Sequence, residues 1–211
     1  TLVFFSNMNI EHERFKKWID RLNVLQKSGR LDKIQIFFSC DALGPEGEYV
    51  RTGLDLKVAI KNFEHILHHT SIEQGINSAL TVTAVPGMPA MVKYINECSK
   101  IKPIYWSMMK ANQHEIQPKP YLYPGIFGNK VNDWGLREAV ELFDTKTRGF
   151  EDSVKQNYKI YMNGIIKEFE KREPNPLRQK QLKIYLDELD RRRNTNWKKI
   201  YPQILNEVKD L

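Results

Sequence analysis

The chain has 211 residues, 41% hydrophobic and 28% charged, which suits one folded domain or one domain with an appendage and excludes disorder throughout. Its apolar runs are far too short to span a bilayer and no signal-peptide pattern is found, so we predict a cytoplasmic protein with no membrane partner. The net charge of +7 permits an anionic partner, either nucleic acid or a phosphorylated small molecule.

The first half of the sequence alternates between strand and helix patterns. Short apolar runs predict strands, and apolar residues three or four positions apart predict helices. The predicted strands cover residues 1–6, 33–39, 79–85 and 103–109, and the helices cover 11–28, 54–69 and 91–98. This alternation is typical of parallel βαβ units. We therefore predict an α/β fold over residues 1–110, either a partial (β/α) barrel with about four parallel βα units or the core of a doubly wound sheet.

The second half of the sequence has a different character. Residues 111–134 are rich in Pro, Gly and Tyr, which predicts an irregular covering loop. Residues 135–211 carry apolar stripes at helical spacing and predict a mostly helical C-terminal region. Lys and Arg mix with Glu and Asp there, which favours a solvated helical surface, while contact with nucleic acid stays open as an alternative.

Polar residues follow each predicted strand, where (β/α) folds carry their ligand sites. The strand ends read Ser6-Asn7, Ser39-Cys40-Asp41, Thr83-Ala84-Val85-Pro86 and Ser107-Met108-Met109-Lys110. Such a set can bind a polar ligand through hydrogen bonds. It is not a hydrolytic triad, since no histidine stands at a strand end. His65 and His69 have the spacing of two metal ligands on one helix face, but nothing else in the pattern supports a metal, and Cys40 and Cys98 belong to no Cys/His cluster. We therefore assign no metal ligand.

Several of these residues also have a purely local interpretation. Ser6 and Asn7 could serve as turn and cap residues before the first helix, and Asp41 could cap the glycine-containing turn that follows it. Arg51 stands at a helix entrance, where an arginine can bind a carboxylate or phosphate with its two-pronged guanidinium. A local salt bridge to Glu48 or Asp55 is the alternative.

Three segments resemble the radical S-adenosylmethionine (SAM) superfamily, and more narrowly its twitch- or SPASM-type members. They are Phe4-Phe5-Ser6-Asn7-Met8, Ile36-Phe37-Phe38-Ser39-Cys40-Asp41-Ala42 and Glu48-Tyr49-Val50-Arg51-Thr52-Gly53, supported by residues 58–62. Met8 and Ala42 stand where that family usually has glycine. The resemblance covers roughly residues 1–110, and the stretch 186–202 is similar to the tail of some twitch-type members.

The resemblance implies a SAM-binding role for seven residues. Ser6 and Asn7 match a site that touches SAM, and Arg51 matches an arginine that meets its carboxylate. Ser39 and Asp41 match positions near the ribose or substrate, and Thr83 and Val85 match contacts near the adenine. The implied reaction is reductive cleavage of SAM to a 5′-deoxyadenosyl radical, which abstracts hydrogen from an unidentified peptide or small molecule. No catalytic residue is assigned in this chain.

The family's CxxxCxxC motif, which holds a [4Fe–4S] cluster, and its GGE-like motif are absent from this sequence. The chain is either a fragment of a longer protein, whose missing half would carry the cluster, or a cluster-less relative. Its start inside a strand at Thr1 favours the fragment, which alone we expect to be inactive. Two other functions stay open: a nucleic-acid-binding module with a basic helical tail, and a different (β/α) enzyme that uses Asp41 and Lys110.

Overall fold

The computed structural model describes residues 1–111, 119–143 and 152–211, with side chains in the last range described from residue 158. Within these ranges, four strands form a parallel sheet in the order β1-β2-β3-β4. They are β1 (Leu2–Ser6), β2 (Ile34–Ser39), β3 (Glu73–Leu80) and β4 (Ile104–Lys110). The predicted α/β fold with four parallel strands is thereby confirmed.

Helices connect these strands and make up most of the remaining described chain. They are α1 (His12–Lys27), α2 (Pro45–Val50), α3 (Leu56–His69), α4 (Met88–Ser99), α5 (Leu136–Leu142), α6 (Asp152–Glu170), α7 (Pro176–Arg193), α8 (Trp197–Ile200) and α9 (Pro202–Val208). Short 3₁₀ segments cover Val85–Gly87, Pro120–Leu122 and Pro124–Trp134. Residues 112–118 of the predicted covering loop and residues 144–151 of the predicted helical region lie outside the described residues.

Helix boundaries follow local chemistry that the sequence displays. The Glu11 carboxylate accepts the backbone N–H groups of Glu13 and Arg14 and so caps α1. The hydrogen bonds to these two amides lower the pKa of the Glu11 carboxyl. Asn175 caps α7 in the same way, with Pro176 in the first turn. These caps place the helices close to where the sequence predicts them.

The third strand was predicted in the wrong place. Strand β3 covers Glu73–Leu80 rather than residues 79–85. After Leu80 the chain turns, because the N–H groups of Ala84 and Val85 both donate to the Thr81 carbonyl. Thr83 therefore lies in a buried turn and Val85 in a buried 3₁₀ segment, and neither stands at a strand end.

One face of the sheet is covered by helices. Ile36 and Phe38 point to this face and are fully buried, and Phe38 lies 5.8 Å from the Phe63 ring of α3. Trp106 of β4 stacks on Phe143 at 5.5 Å, just after α5. Sequential parallel strands joined by right-handed crossovers put every connecting helix on the same face, which explains this arrangement.

The opposite sheet face is exposed, and we call it the open face. Strand register places Val3, Phe5, Tyr105 and Met109 on it, with exposed fractions of 44%, 62%, 45% and 71%. Parallel sheets are normally buried on both sides, so a parallel sheet with an exposed apolar face is unusual.

The helical region packs against the α/β part of the chain. Trp197 and Tyr201 are fully buried, and the Tyr201 ring meets the Tyr49 ring of α2 edge-on at 5.4 Å. The Tyr49 hydroxyl donates to Asp190, and Arg193 donates to the Tyr49 carbonyl at 2.9 Å. Helix α2 is therefore held in place by the C-terminal helical region. Among the described helices, none combines the length and apolar character of a membrane-crossing segment.

Candidate functional site at the carboxyl end of the open face

An aromatic layer forms the floor of the open face. Phe5, Phe37, Gly75 and Tyr105 are aligned across the four strands. The Phe5 and Phe37 rings stack at 5.2 Å. A Cβ at Gly75 would lie 2.6 Å from the Phe37 ring and 2.5 Å from the Tyr105 carbonyl oxygen, so only glycine lets that ring lie over β3.

Two residues further along the strands, three polar side chains stand side by side. Ser39, Asn77 and Ser107 are directly paired in register across β2, β3 and β4, and we call them the polar row. None of the three side chains hydrogen-bonds to another described residue. The polar row therefore offers two hydroxyls and one amide to a ligand on the open face.

Asp41 and Arg51 form a partly buried ion pair beside the polar row. The Asp41 carboxylate is 7% exposed, accepts the Ala79 N–H at 2.8 Å and pairs with Arg51 Nη2 at 3.0 Å. The Asp41 carboxylate thereby accepts the Ala79 N–H, which a backbone carbonyl would accept if β2 continued. Neither predicted local interpretation holds, because Asp41 does not cap the turn and Arg51 pairs with neither Glu48 nor Asp55.

Arg51 retains unused hydrogen-bonding capacity. Its Nε is buried and has no partner among the described residues. Glu48 and Asp55 are engaged elsewhere, since they accept the N–H groups of Leu56 and Val58 at the start of α3. Buried unpaired donors are uncommon, so the guanidinium is a candidate binding group for an anion.

Ser6 and Asn7 make local turn contacts. Ser6 shares the helix-covered face with Phe38, its partner in register, and its Oγ accepts the Met8 N–H at 3.0 Å. The exposed Asn7 accepts the Asn9 N–H at 3.1 Å. The turn interpretation of these residues is thus what the structure shows, and Ser6 does not face the polar row.

Lys110 lies on the helix-covered side of the sheet. Strand alternation groups it with Trp106, and its ammonium pairs with Glu168 of α6. Glu168 also accepts hydrogen bonds from the Tyr123 hydroxyl and from Arg172. Asp41 therefore has no access to Lys110 as a catalytic partner.

The structure thus places three of the seven predicted site residues, Ser39, Asp41 and Arg51, at the carboxyl end of the open face. It adds Asn77, which sequence reasoning missed because the third strand was placed too late. The signal was present in residues 73–80, where Gly75, Asn77 and Ala79 alternate with the apolar Ile76 and Leu80. Polar Gln74 and Ser78 on the buried face obscured that alternation.

The described residues contain no group of three or more His, Cys, Asp or Glu that could hold a metal ion. Cys40 and Cys98 are both free and buried. Burial raises the pKa of each thiol to about 12, so neither is a thiolate near neutral pH.

We expect both thiols to be inert in the native protein. At about pH 8, an aromatic disulfide reagent should label Cys40 and Cys98 at least about a hundredfold more slowly in the folded chain than in concentrated guanidinium chloride. Release of the coloured thiol, followed by absorbance, measures both rates. Prompt labelling of either residue in the native protein would contradict its burial.

No protein-family model matches this chain, and no curated protein or solved structure matches it either.

Proposed function

We propose that the chain is part of a radical SAM enzyme, with a partial (β/α) barrel whose open face lines the SAM and substrate chamber. The single observation that carries this proposal is the parallel sheet with helices on one face and a polar row on the other. An inner apolar layer with polar groups toward the strand carboxyl ends is how (β/α) barrels place their ligands.

The chain's own residues suit the polar groups of SAM. The hydroxyls of Ser39 and Ser107 and the Asn77 amide can hydrogen-bond to a ribose or amino-acid group. The Arg51 guanidinium can approach a carboxylate while Asp41 orients it. SAM, when bound, supplies the carbon-centred radical chemistry, and these residues bind and orient the ligand.

The described residues do not fit a [4Fe–4S] cluster, because both cysteines are buried singly on the core side. In the proposed enzyme, the cluster ligands come from outside these 211 residues. An additional segment that covers the open face would also bury its exposed aromatic and methionine side chains.

The test starts from the complete gene that encodes this chain. We expect the encoded protein to carry CxxxCxxC and, after anaerobic reconstitution, to contain iron and sulfide. With dithionite as the electron donor, it should cleave SAM to methionine and 5′-deoxyadenosine. Ser39→Ala and Asn77→Ala should each reduce that formation by about tenfold, the value of one lost hydrogen bond.

Ser28→Ala is the matched control, since Ser28 is exposed beyond α1 and should leave activity unchanged. A complete protein without iron, or one whose product formation is insensitive to both site variants, would refute the proposal.

A further inference from the structure

The helical region carries a cationic cavity that the proposed SAM site does not use. It has a volume of about 420 Å³ and lies where the 3₁₀ segments meet the junction of α6 and α7. Lys171, Arg172 and Arg178 line it, and among the described residues that line it Glu173 is the one acidic side chain. We call it the cationic cavity, and its excess of positive charge suits an anionic ligand.

Hydrogen bonds and one close glycine contact hold the wall of this cavity in place. The Ile126 carbonyl accepts the Asn175 N–H at 2.9 Å and the Gln179 side-chain amide at 2.8 Å. Gly128 has a φ of +59°, and a Cβ there would lie 2.6 Å from the Arg172 carbonyl oxygen. The 3₁₀ segment is thus locked closely against the α6–α7 junction.

The orientation of Arg172 is also fixed. Its guanidinium donates to Glu168 at 3.2 Å and lies 5.1 Å from the centroid of the Tyr123 ring. A guanidinium held by both a carboxylate and an aromatic face loses little further freedom when an anion binds.

An aromatic groove adjoins the cationic cavity. It has a volume of about 480 Å³, and its lining includes Tyr121, Tyr185 and Ile184, which is 60% exposed. Glu188 also lines it, and its carboxylate is paired with Arg191 and Arg192. The two tyrosine rings lie 5.0 Å apart. Pro120 and Arg178 line both spaces, so a single ligand could reach from one to the other.

We propose that these two spaces form a binding site for a nucleoside 5′-phosphate unit. The phosphate lies in the cationic cavity against Lys171 and Arg178, where charge-assisted hydrogen bonds are strongest. The flat base lies in the aromatic groove against the tyrosine rings, since bases of any type stack on aromatic side chains. The unit could come from a free nucleotide or from a nucleic-acid strand, which share this chemistry.

The site is independent of the proposed SAM chemistry. None of its lining residues belongs to the polar row or to the Asp41–Arg51 pair. A failed SAM assay would therefore leave this proposal untouched, and a failed nucleotide assay would leave the SAM proposal untouched.

Isothermal titration of the purified full chain provides the test. We expect at least one of the four ribonucleoside 5′-monophosphates to bind about tenfold or more tightly than its nucleoside and than inorganic phosphate. The affinity should fall as salt is added. If no nucleotide binds more tightly than inorganic phosphate, the proposal is overturned.

Variants locate the binding. Arg178→Ala and Tyr185→Leu should each weaken nucleotide binding by about tenfold. The first removes a side chain that binds the phosphate, and the second removes a ring that stacks on the base. Arg14→Ala on α1 and Tyr161→Leu on the exposed surface of α6 are matched controls that should bind like the parent chain. Circular dichroism confirms that all four fold. Unchanged binding by both site variants would refute the assignment.

A thymidine decanucleotide separates the two sources of the nucleotide. Binding more than about tenfold tighter than thymidine 5′-monophosphate, and lost in Arg178→Ala, identifies a strand as the ligand. Equal or weaker binding of the strand identifies the free nucleotide. Both results support the site, whereas strand binding that Arg178→Ala leaves intact counts against it.

Discussion

Replacing Arg51 by alanine is expected to lower the free energy of unfolding by about 3 kcal/mol, because it leaves a buried carboxylate without its counter-ion. Asp41 is 7% exposed and would keep only the hydrogen bond from the Ala79 N–H. Removal of one partner of a buried pair costs more than the pair contributes, since the remaining charge is poorly solvated. Urea denaturation followed by circular dichroism measures the change.

The double variant Asp41→Asn/Arg51→Ala separates charge from packing. It removes the uncompensated carboxylate while keeping an acceptor for Ala79, so it should be more stable than Arg51→Ala alone. Arg137→Ala is the matched control, because Arg137 forms ion pairs on the exposed surface and should cost less than about 1 kcal/mol. Equal losses for Arg51→Ala and Arg137→Ala would contradict the role given to the buried pair.

Replacing Gly47 by alanine should lower the free energy of unfolding by about 2–3 kcal/mol, because the added methyl group has no room. Its Cβ would lie 2.1 Å from the Ala42 carbonyl oxygen and 3.2 Å from Leu56 Cδ1. The first of these is backbone, which cannot move aside without shifting the loop that presents Asp41. Thermal and urea unfolding both report the loss.

The same substitution at Gly164 is expected to raise the free energy of unfolding. Gly164 lies in the exposed part of α6, and its Cβ would meet nothing within 4 Å. Alanine is the better helix former, so this variant should gain up to about 1 kcal/mol. If both variants shift stability in the same direction, the close contact at Gly47 is not the controlling factor.

The sequence was sufficient for the fold class and for most helices because those features are local. Alternating strand and helix patterns and capping residues such as Glu11 and Asn175 are readable without any tertiary contact. The Ser39-Cys40-Asp41 strand end was also located correctly for the same reason. The prediction of the third strand failed because the local pattern was misleading. Thr81 and Thr83 alternate with apolar residues, as in a strand, but they lie in a turn.

The contents of the candidate site required knowledge of register and partners. Asn77 belongs to the polar row only because β3 aligns it with Ser39 and Ser107. Arg51 pairs with Asp41, ten residues away, whereas the sequence suggested Glu48 or Asp55 as its salt-bridge partner. Ser6 was predicted as a ligand at the end of the first strand. It aligns with Phe38, so its side chain lies on the helix-covered face rather than on the open face.

The contacts of Tyr49 have a consequence for how the molecule folds. Its ring meets Tyr201, its hydroxyl meets Asp190 and its carbonyl meets Arg193, all contributed by the far end of the chain. The apolar interior is likewise continuous from the sheet to α9. The helical region is therefore part of the same core as the sheet. We expect the loop that presents Arg51 to reach its final shape only when residues 190–201 have docked on Tyr49.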